Sequence, residues 1–132
     1  MALIELQNVV KVYESQAGSI TAVNGVSTSF EEGEFTAIVG PSGCGKTTLL
    51  NAIGGLDRPN QGHIHIDGVN IVNLKDRDLI DFRLQHIGFV FQAYNLIPVL
   101  TALENTGFIL ELQGVSKKER DARAMELLEA VG

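Results

Sequence analysis

Hydrophobic and polar positions alternate in period two at the start of this chain and then shift to helical spacing. Over residues 3–12, Ile4, Leu6, Val9, Val10 and Val12 alternate loosely with polar neighbours, which predicts a strand with a possible bend at Asn8. Residues 15–19 are turn chemistry, 26–30 form a second predicted strand, and Glu31-Glu32-Gly33-Glu34 closes it. No helix fits between these strands, so an antiparallel pairing is expected. Phe35-Thr36-Ala37-Ile38-Val39 is a short apolar run, as expected of a buried strand. Leu49, Leu50, Ile53 and Leu56 then recur at helical spacing, and the predicted helix, from Lys46, stops near Gly54-Gly55 with Pro59 beyond.

Further on, His63-Ile64-His65-Ile66 alternates cleanly, and Asp67-Gly68 predicts a hairpin turn into residues 69–74. The two histidines fall on the polar face and carry no metal assignment. Residues 75–85 are charged and predicted helical without a clean stripe, and His86 is read as a surface neighbour of the next strand. That strand, Ile87-Gly88-Phe89-Val90-Phe91, is a second predicted buried run and ends at Gln92. Thr101 to Glu104 and Ser116 to Glu119 are capping boxes that open two helices. In the last helix Ala124, Leu127, Leu128 and Val131 form a stripe expected to be core.

Composition narrows the classes. An apolar share of 45% supports a packed core, whereas a net charge of −6 argues against a nucleic-acid surface, which needs basic patches. A single cysteine forms no internal disulfide, in keeping with a reducing cytoplasmic compartment. No apolar stretch approaches the roughly 20 residues that span a bilayer. The first five residues lack the basic region of a secretory signal, so membrane contact is expected only through a partner.

Between the first apolar run and the helix stands Gly40-Pro41-Ser42-Gly43-Cys44-Gly45-Lys46-Thr47-Thr48, which fits the phosphate-binding pattern G-x-x-x-x-G-K-[ST] in its strand-to-helix context. Its glycines let successive N–H groups, from Gly43 to Thr48, curl into one concavity, and the helix dipole adds to that field. Lys46 is expected to reach the β- and γ-phosphates of a nucleoside triphosphate, and the Thr47 hydroxyl to complete the shell of Mg²⁺. Cys44 occupies an unconstrained position of the pattern. A thiol beside Lys46 and a helix N-terminus is nonetheless expected to be open to maleimide, with loss of nucleotide binding.

The ordered set of motifs resembles the ATP-binding subunits of ABC transporters from Ile4 to Gly132. Four features carry the resemblance: the loop continued as Thr-Thr-Leu-Leu, Tyr13 ahead of it, Gly62-His63-Ile64-His65-Ile66-Asp67-Gly68, and Ile87-Gly88-Phe89-Val90-Phe91-Gln92. Gly55-Leu56-Asp57-Arg58-Pro59 and the stretch from Phe91 to Pro98, with Leu100-Thr101-Ala102-Leu103-Glu104-Asn105, look like the lipoprotein-release and macrolide-export branch. The absence of an Asn-Lys-x-Asp tetrapeptide argues against a GTPase.

The resemblance implies an α/β P-loop NTPase fold with an N-terminal antiparallel β-subdomain and the start of a helical subdomain. Residues 1–34 and 62–74 would form the antiparallel region, 35–56 and 87–92 the P-loop core, and 101–132 the helical start. It implies a site in which Tyr13, Gly40, Ser42, Gly43, Cys44, Gly45, Lys46, Thr47 and Thr48 hold ATP. Thr47 and Gln92 would hold Mg²⁺, and Lys46 and Gln92 would act in catalysis. By residue type alone Tyr13 is a half-buried strand residue and Gln92 an ordinary polar one. Asp57 and Glu104 are read as turn and cap residues.

The implied partners are a second ATP-binding subunit, paired head to tail, and a transmembrane permease at the cytoplasmic face, sensed through residues 94–98. No Leu-Ser-Gly-Gly-Gln-like signature and no apolar strand ending in Asp-Glu occurs among these 132 residues, nor does the family's switch histidine. ATP binding is therefore expected, with negligible hydrolysis by this chain alone. The resemblance also implies parallel neighbours for 35–39 and 87–91, without which their apolar edges would be exposed.

Overall fold

The computed structural model describes residues 2–132 and divides into two compact units, residues 1–80 and 81–132, with Met1 outside the described residues. The first unit is built on a four-stranded sheet in the order β2-β1-β3-β4, with β1 Ala2–Ser15, β2 Gly18–Glu31, β3 Gln61–Ile66 and β4 Val69–Asn70. All its pairings are antiparallel, as the short connections require for the β1–β2 and β3–β4 hairpins. β1 is the centre of the sheet, and its inward residues Leu6 and Val9 meet Val23, Ile64 and Ile66 in the core.

The bend expected at Asn8 is a bulge. Asn8 takes φ 49°, and the register of β1 shifts between Leu6 and Val9 against β2 and between Gln7 and Val10 against β3. Ser27 Oγ accepts the Asn8 N–H at 2.8 Å. On the other side the chain passes so close that a β-carbon on Gly62 would stand 2.4 Å from the Asn8 carbonyl oxygen. With φ at 90°, Gly62 is the residue type that this crossing demands.

After the sheet hairpin, a glycine-rich loop leads into α1, Lys46–Ile53, which buries Ala52 and ends at Gly54, where the glycine pair predicted a stop. Leu50 and Leu56, part of the expected stripe, are exposed. The strand predicted over 69–74 pairs only at Val69 and Asn70. Asn70 then caps a single 3₁₀ turn, Ile71–Asn73, by accepting the Val72 N–H, and this turn buries Ile71. Arg58 braces the same segment by donating to the carbonyls of Val72 and Leu74 and to Asp76. The next helix, α2, runs Asp76–His86.

In the second unit α3, Ala102–Leu112, packs on α4, Lys117–Ala130, through the small residues Gly107 and Ala124, both buried. The N-cap half of both boxes forms: Thr101 Oγ1 accepts the Glu104 N–H at 3.1 Å and Ser116 Oγ accepts the Glu119 N–H at 3.4 Å, while the Glu104 carboxylate accepts from the Thr101 hydroxyl. Glu104 is thus a cap residue. Of the stripe on α4, Ala124 is buried but Leu127 and Val131 are exposed, because within this unit α3 covers only one side of the helix. No described helix is long and apolar enough to cross a membrane.

Two predicted strands do not form. Residues 35–39 and 87–91 are not hydrogen-bonded into any ladder, and Phe35 (99% exposed), Val39 and Val90 stand in solvent. The reason is that a strand exists only through a neighbour. Apolar composition makes these runs fit for a doubly covered sheet, but among the described residues no strand lies alongside either run.

Candidate functional site

The first unit holds a cleft of about 590 Å³ lined by Tyr13 on β1, residues 20–22 of β2, and residues 42–48 of the glycine-rich loop and α1. Lining residues 42–48 and Tyr13 are the ones the sequence singled out. Gly45, the residue before α1, has φ 98°, and a β-carbon there would stand 2.2 Å from the Ala22 carbonyl oxygen. Steric exclusion and dihedral therefore both require glycine, and the loop is pressed against β2 at this point. Gly45 offers α1 no side-chain cap. The first hydrogen bond into the helix runs from Leu49 N–H to the Gly45 carbonyl, which leaves the preceding N–H groups without an intrahelical acceptor. Such an end, with its partial positive charge, is complementary to an anion.

Lys46 holds the loop in its curl. Its ammonium donates to the carbonyl oxygens of Gly40 and Pro41, each at 2.7 Å, and lies 3.6 Å from Cys44 Sγ. The loop is further turned by the Cys44 N–H donating to the Pro41 carbonyl at 3.3 Å. Cys44 is exposed, and the Thr47 and Ser42 hydroxyls border the same cleft. Gln92 belongs to the second unit, where it is exposed just after residues 87–91.

Opposite the loop, Tyr13 is 42% exposed, and its hydroxyl donates to Asp57 Oδ2 at 2.8 Å. Lys11 Nζ donates to Asp57 Oδ1 at 2.9 Å and lies 5.2 Å from the Tyr13 ring centroid. The Lys11 hydrogen bond, helped by the tyrosine hydroxyl and partly offset by desolvation, holds the Asp57 carboxyl below the usual carboxylate range. Asp57 sits in the turn after α1, as read, but it also reaches across to β1. Sequence reasoning passed over Lys11 and this second part of Asp57, because a pairing across some 46 residues leaves no local periodicity. The signal available was the stretch Gly55-Leu56-Asp57-Arg58-Pro59 itself.

The histidines lie where the alternation put them. His63 is exposed and His65 half-buried on the face of β3 opposite Ile64 and Ile66, and Asn70 Nδ2 meets His63 Nδ1 at 2.9 Å. His86 is exposed and stacks on Phe82 at 4.3 Å.

Comparison with known proteins agrees with this architecture. A family model described as ABC transporter matches residues 23–132. An uncharacterized ABC transporter ATP-binding protein of Thermotoga maritima is 48% identical over 98% of this chain and 56% of its own length. The lipoprotein-releasing system ATP-binding protein LolD of Bacteroides fragilis is 45% identical over 98% of this chain and 58% of its own. Among solved structures, the ATP-binding cassette MJ0796 of Methanocaldococcus jannaschii, described as a dimer in a post-hydrolysis state bound to ADP and Pi, superposes with a TM-score of 0.90 at 45% identity, covering 96% of this chain and 56% of that one. The chain thus spans a little over half the length of the relatives it matches, and at these identities it belongs to the ABC transporter family as part of a P-loop ATP-binding cassette.

Proposed function

We propose that the cleft holds Mg-ATP and that the chain serves as part of an ATPase subunit that powers transport across a membrane or extraction from one. The observation that carries this reading is that one cleft joins an aromatic ring, Tyr13, to the loop and helix start formed by residues 42–48. An aromatic platform and a nest of N–H groups in one cleft suit a base on the one and a chain of phosphates on the other.

In this reading the phosphates lie on the N–H groups from Gly43 to Thr48, with Gly40, Ser42, Cys44 and Gly45 shaping the loop. Lys46 transfers its ammonium from the Gly40 and Pro41 carbonyls to the β- and γ-phosphates. The Thr47 hydroxyl and the Gln92 amide are oxygen donors of the kind Mg²⁺ takes, and the bound ion would supply charge neutralisation between the terminal phosphates. Gln92 would also orient the attacking water. Tyr13 would stack on the adenine. Hydrolysis would take place in a head-to-tail dimer with a second ATP-binding subunit, docked on a transmembrane permease at the cytoplasmic face of the membrane through residues 94–98.

The test is phosphate release under Mg-ATP together with nucleotide binding, each with Lys46→Ala as control. Binding and turnover that Lys46→Ala abolishes support the ATPase reading. Binding without turnover supports instead a nucleotide-binding or interaction module. Wild-type protein that binds no nucleotide overturns the ATPase reading and leaves only the interaction module.

A further inference from the structure

The loop that follows α1 returns to β1 through one carboxylate. Asp57 Oδ2 accepts from the Tyr13 hydroxyl at 2.8 Å, while Oδ1 accepts from Lys11 Nζ at 2.9 Å. Lys11 is itself held: its ammonium donates to the Arg58 carbonyl at 2.9 Å, and its side chain is only 14% exposed. The same ammonium stands over one face of the Tyr13 ring, 5.2 Å from its centroid. One face of the ring is thereby backed by a cation, while the part-exposed ring borders the cleft, where a second flat ring could stack on it.

A tyrosine on a strand, with its ring part-exposed, keeps freedom about two side-chain torsions. Tethering the far end of the ring removes that freedom in advance of binding, which is worth affinity without adding a contact. The tether is anchored on the helix that matters. Asp57 comes four residues after Ile53, the last residue of α1, whose first residues line the phosphate end of the cleft. A helix of this length is a rigid spacer of about 12 Å. The ring is therefore set at a fixed offset from the loop through α1 rather than through β1 alone.

We infer that Asp57 is a positioning residue for the nucleobase: with Lys11 it locks the Tyr13 ring as a preformed stacking platform. This rests on the nucleotide reading above. Asp57 does not itself line the cleft, so it acts on the ligand only through Tyr13.

The experiment is calorimetric titration of wild type, Asp57→Ala, Tyr13→Phe and the double variant with Mg-ATP and, separately, with Mg-tripolyphosphate, which has the phosphates and no base. Loss of one hydrogen bond should weaken Mg-ATP by roughly two- to tenfold in each single variant. Tripolyphosphate binding should be unchanged in all of them, and the double variant should lose no more than Asp57→Ala does. Tyr13→Phe keeps the Lys11–Asp57 pair and so tests the tether even where Asp57→Ala fails to fold. Equal losses for both ligands, or additive losses in the double variant, would overturn the inference, as would unchanged Mg-ATP affinity in Tyr13→Phe. A wild-type protein that ignores tripolyphosphate would instead remove the phosphate site, and the inference with it.

Discussion

Cys44 Sγ lies 3.6 Å from Lys46 Nζ inside a loop whose other hold on that ammonium is the pair of carbonyls of Gly40 and Pro41. An ammonium has three hydrogens, and here all three face the loop, the one toward sulfur being the weakest bond. Modification of the exposed thiol therefore puts bulk against the Lys46 ammonium, where the proposed phosphates would lie. Maleimide is expected to label Cys44 and to abolish nucleotide binding, with Mg-ATP protecting. Labelling read by intact mass and binding read by a fluorescent nucleotide check this together. Full labelling with unchanged affinity would refute it.

Two glycines with similar dihedrals should respond very differently to alanine. Gly62 has φ 90° and lies against the Asn8 carbonyl oxygen, so a β-carbon meets backbone at 2.4 Å. Gly68, in the Asp67-Gly68 turn, has φ 77° and open space around it. Gly68→Ala is expected to cost about 1–2 kcal/mol for the left-handed backbone alone. Gly62→Ala must also separate β1 from β3, and a loss above about 3 kcal/mol is expected. Urea unfolding of both variants measures the difference, and equal midpoints would contradict the steric account.

Asn105 organises the turn ahead of α3. Its Oδ1 accepts the Ile97 N–H at 2.8 Å, and its Nδ2 lies within hydrogen-bond reach of the carbonyls of Ile97, Leu100 and Thr101. Asn105→Asp presents a carboxylate to those carbonyls and should not rescue what Asn105→Ala loses. A loss of about 1–3 kcal/mol is expected for Asn105→Ala, with faster hydrogen exchange of the Ile97 amide as the local sign. Exchange at Ile97 that matches wild type would exclude the clamp.

Acid should release the Asp57 tether. A carboxyl whose folded pKa is depressed contributes stability that is present above its unfolded pKa and lost as pH falls through the folded value. Asp57 is such a group, held down chiefly by Lys11. Its share of stability should be constant at neutral pH and fade below the ordinary carboxylate range. The side chain is 35% exposed, so solvent screening keeps the effect small. Lys11→Met should flatten that part of the stability-versus-pH curve. A curve unchanged by Lys11→Met down to acid pH would exclude the pair as its source.

Exposed apolar residues at 35–39 and 87–91 predict association of this 132-residue chain on its own. Sedimentation equilibrium should show concentration-dependent mass, and thermal melts should be broad. A sharply melting monomer across the concentration range would contradict this.

What the sequence determined by itself was whatever depends on neighbours a few residues apart. The antiparallel hairpins followed from short polar connections, the bend at Asn8 from an asparagine amid alternation, and the helix starts at Thr101 and Ser116 from side chains that reach N–H groups three residues on. The loop at residues 40–48 was legible for the same reason: its glycines, lysine and threonine act within one turn of chain.

Tertiary structure alone decided what joins distant segments. That Asp57 reaches Lys11 and Tyr13, and that the Ala22 carbonyl presses on Gly45, comes from chain crossings that no window of sequence contains. The runs at 35–39 and 87–91 show the same limit from the other side. Their composition is that of buried strands, yet a strand is a relation between two segments, and these runs have no ladder partner among the described residues. Local bonding is written in local residues; pairing and burial depend on which surfaces the fold brings together.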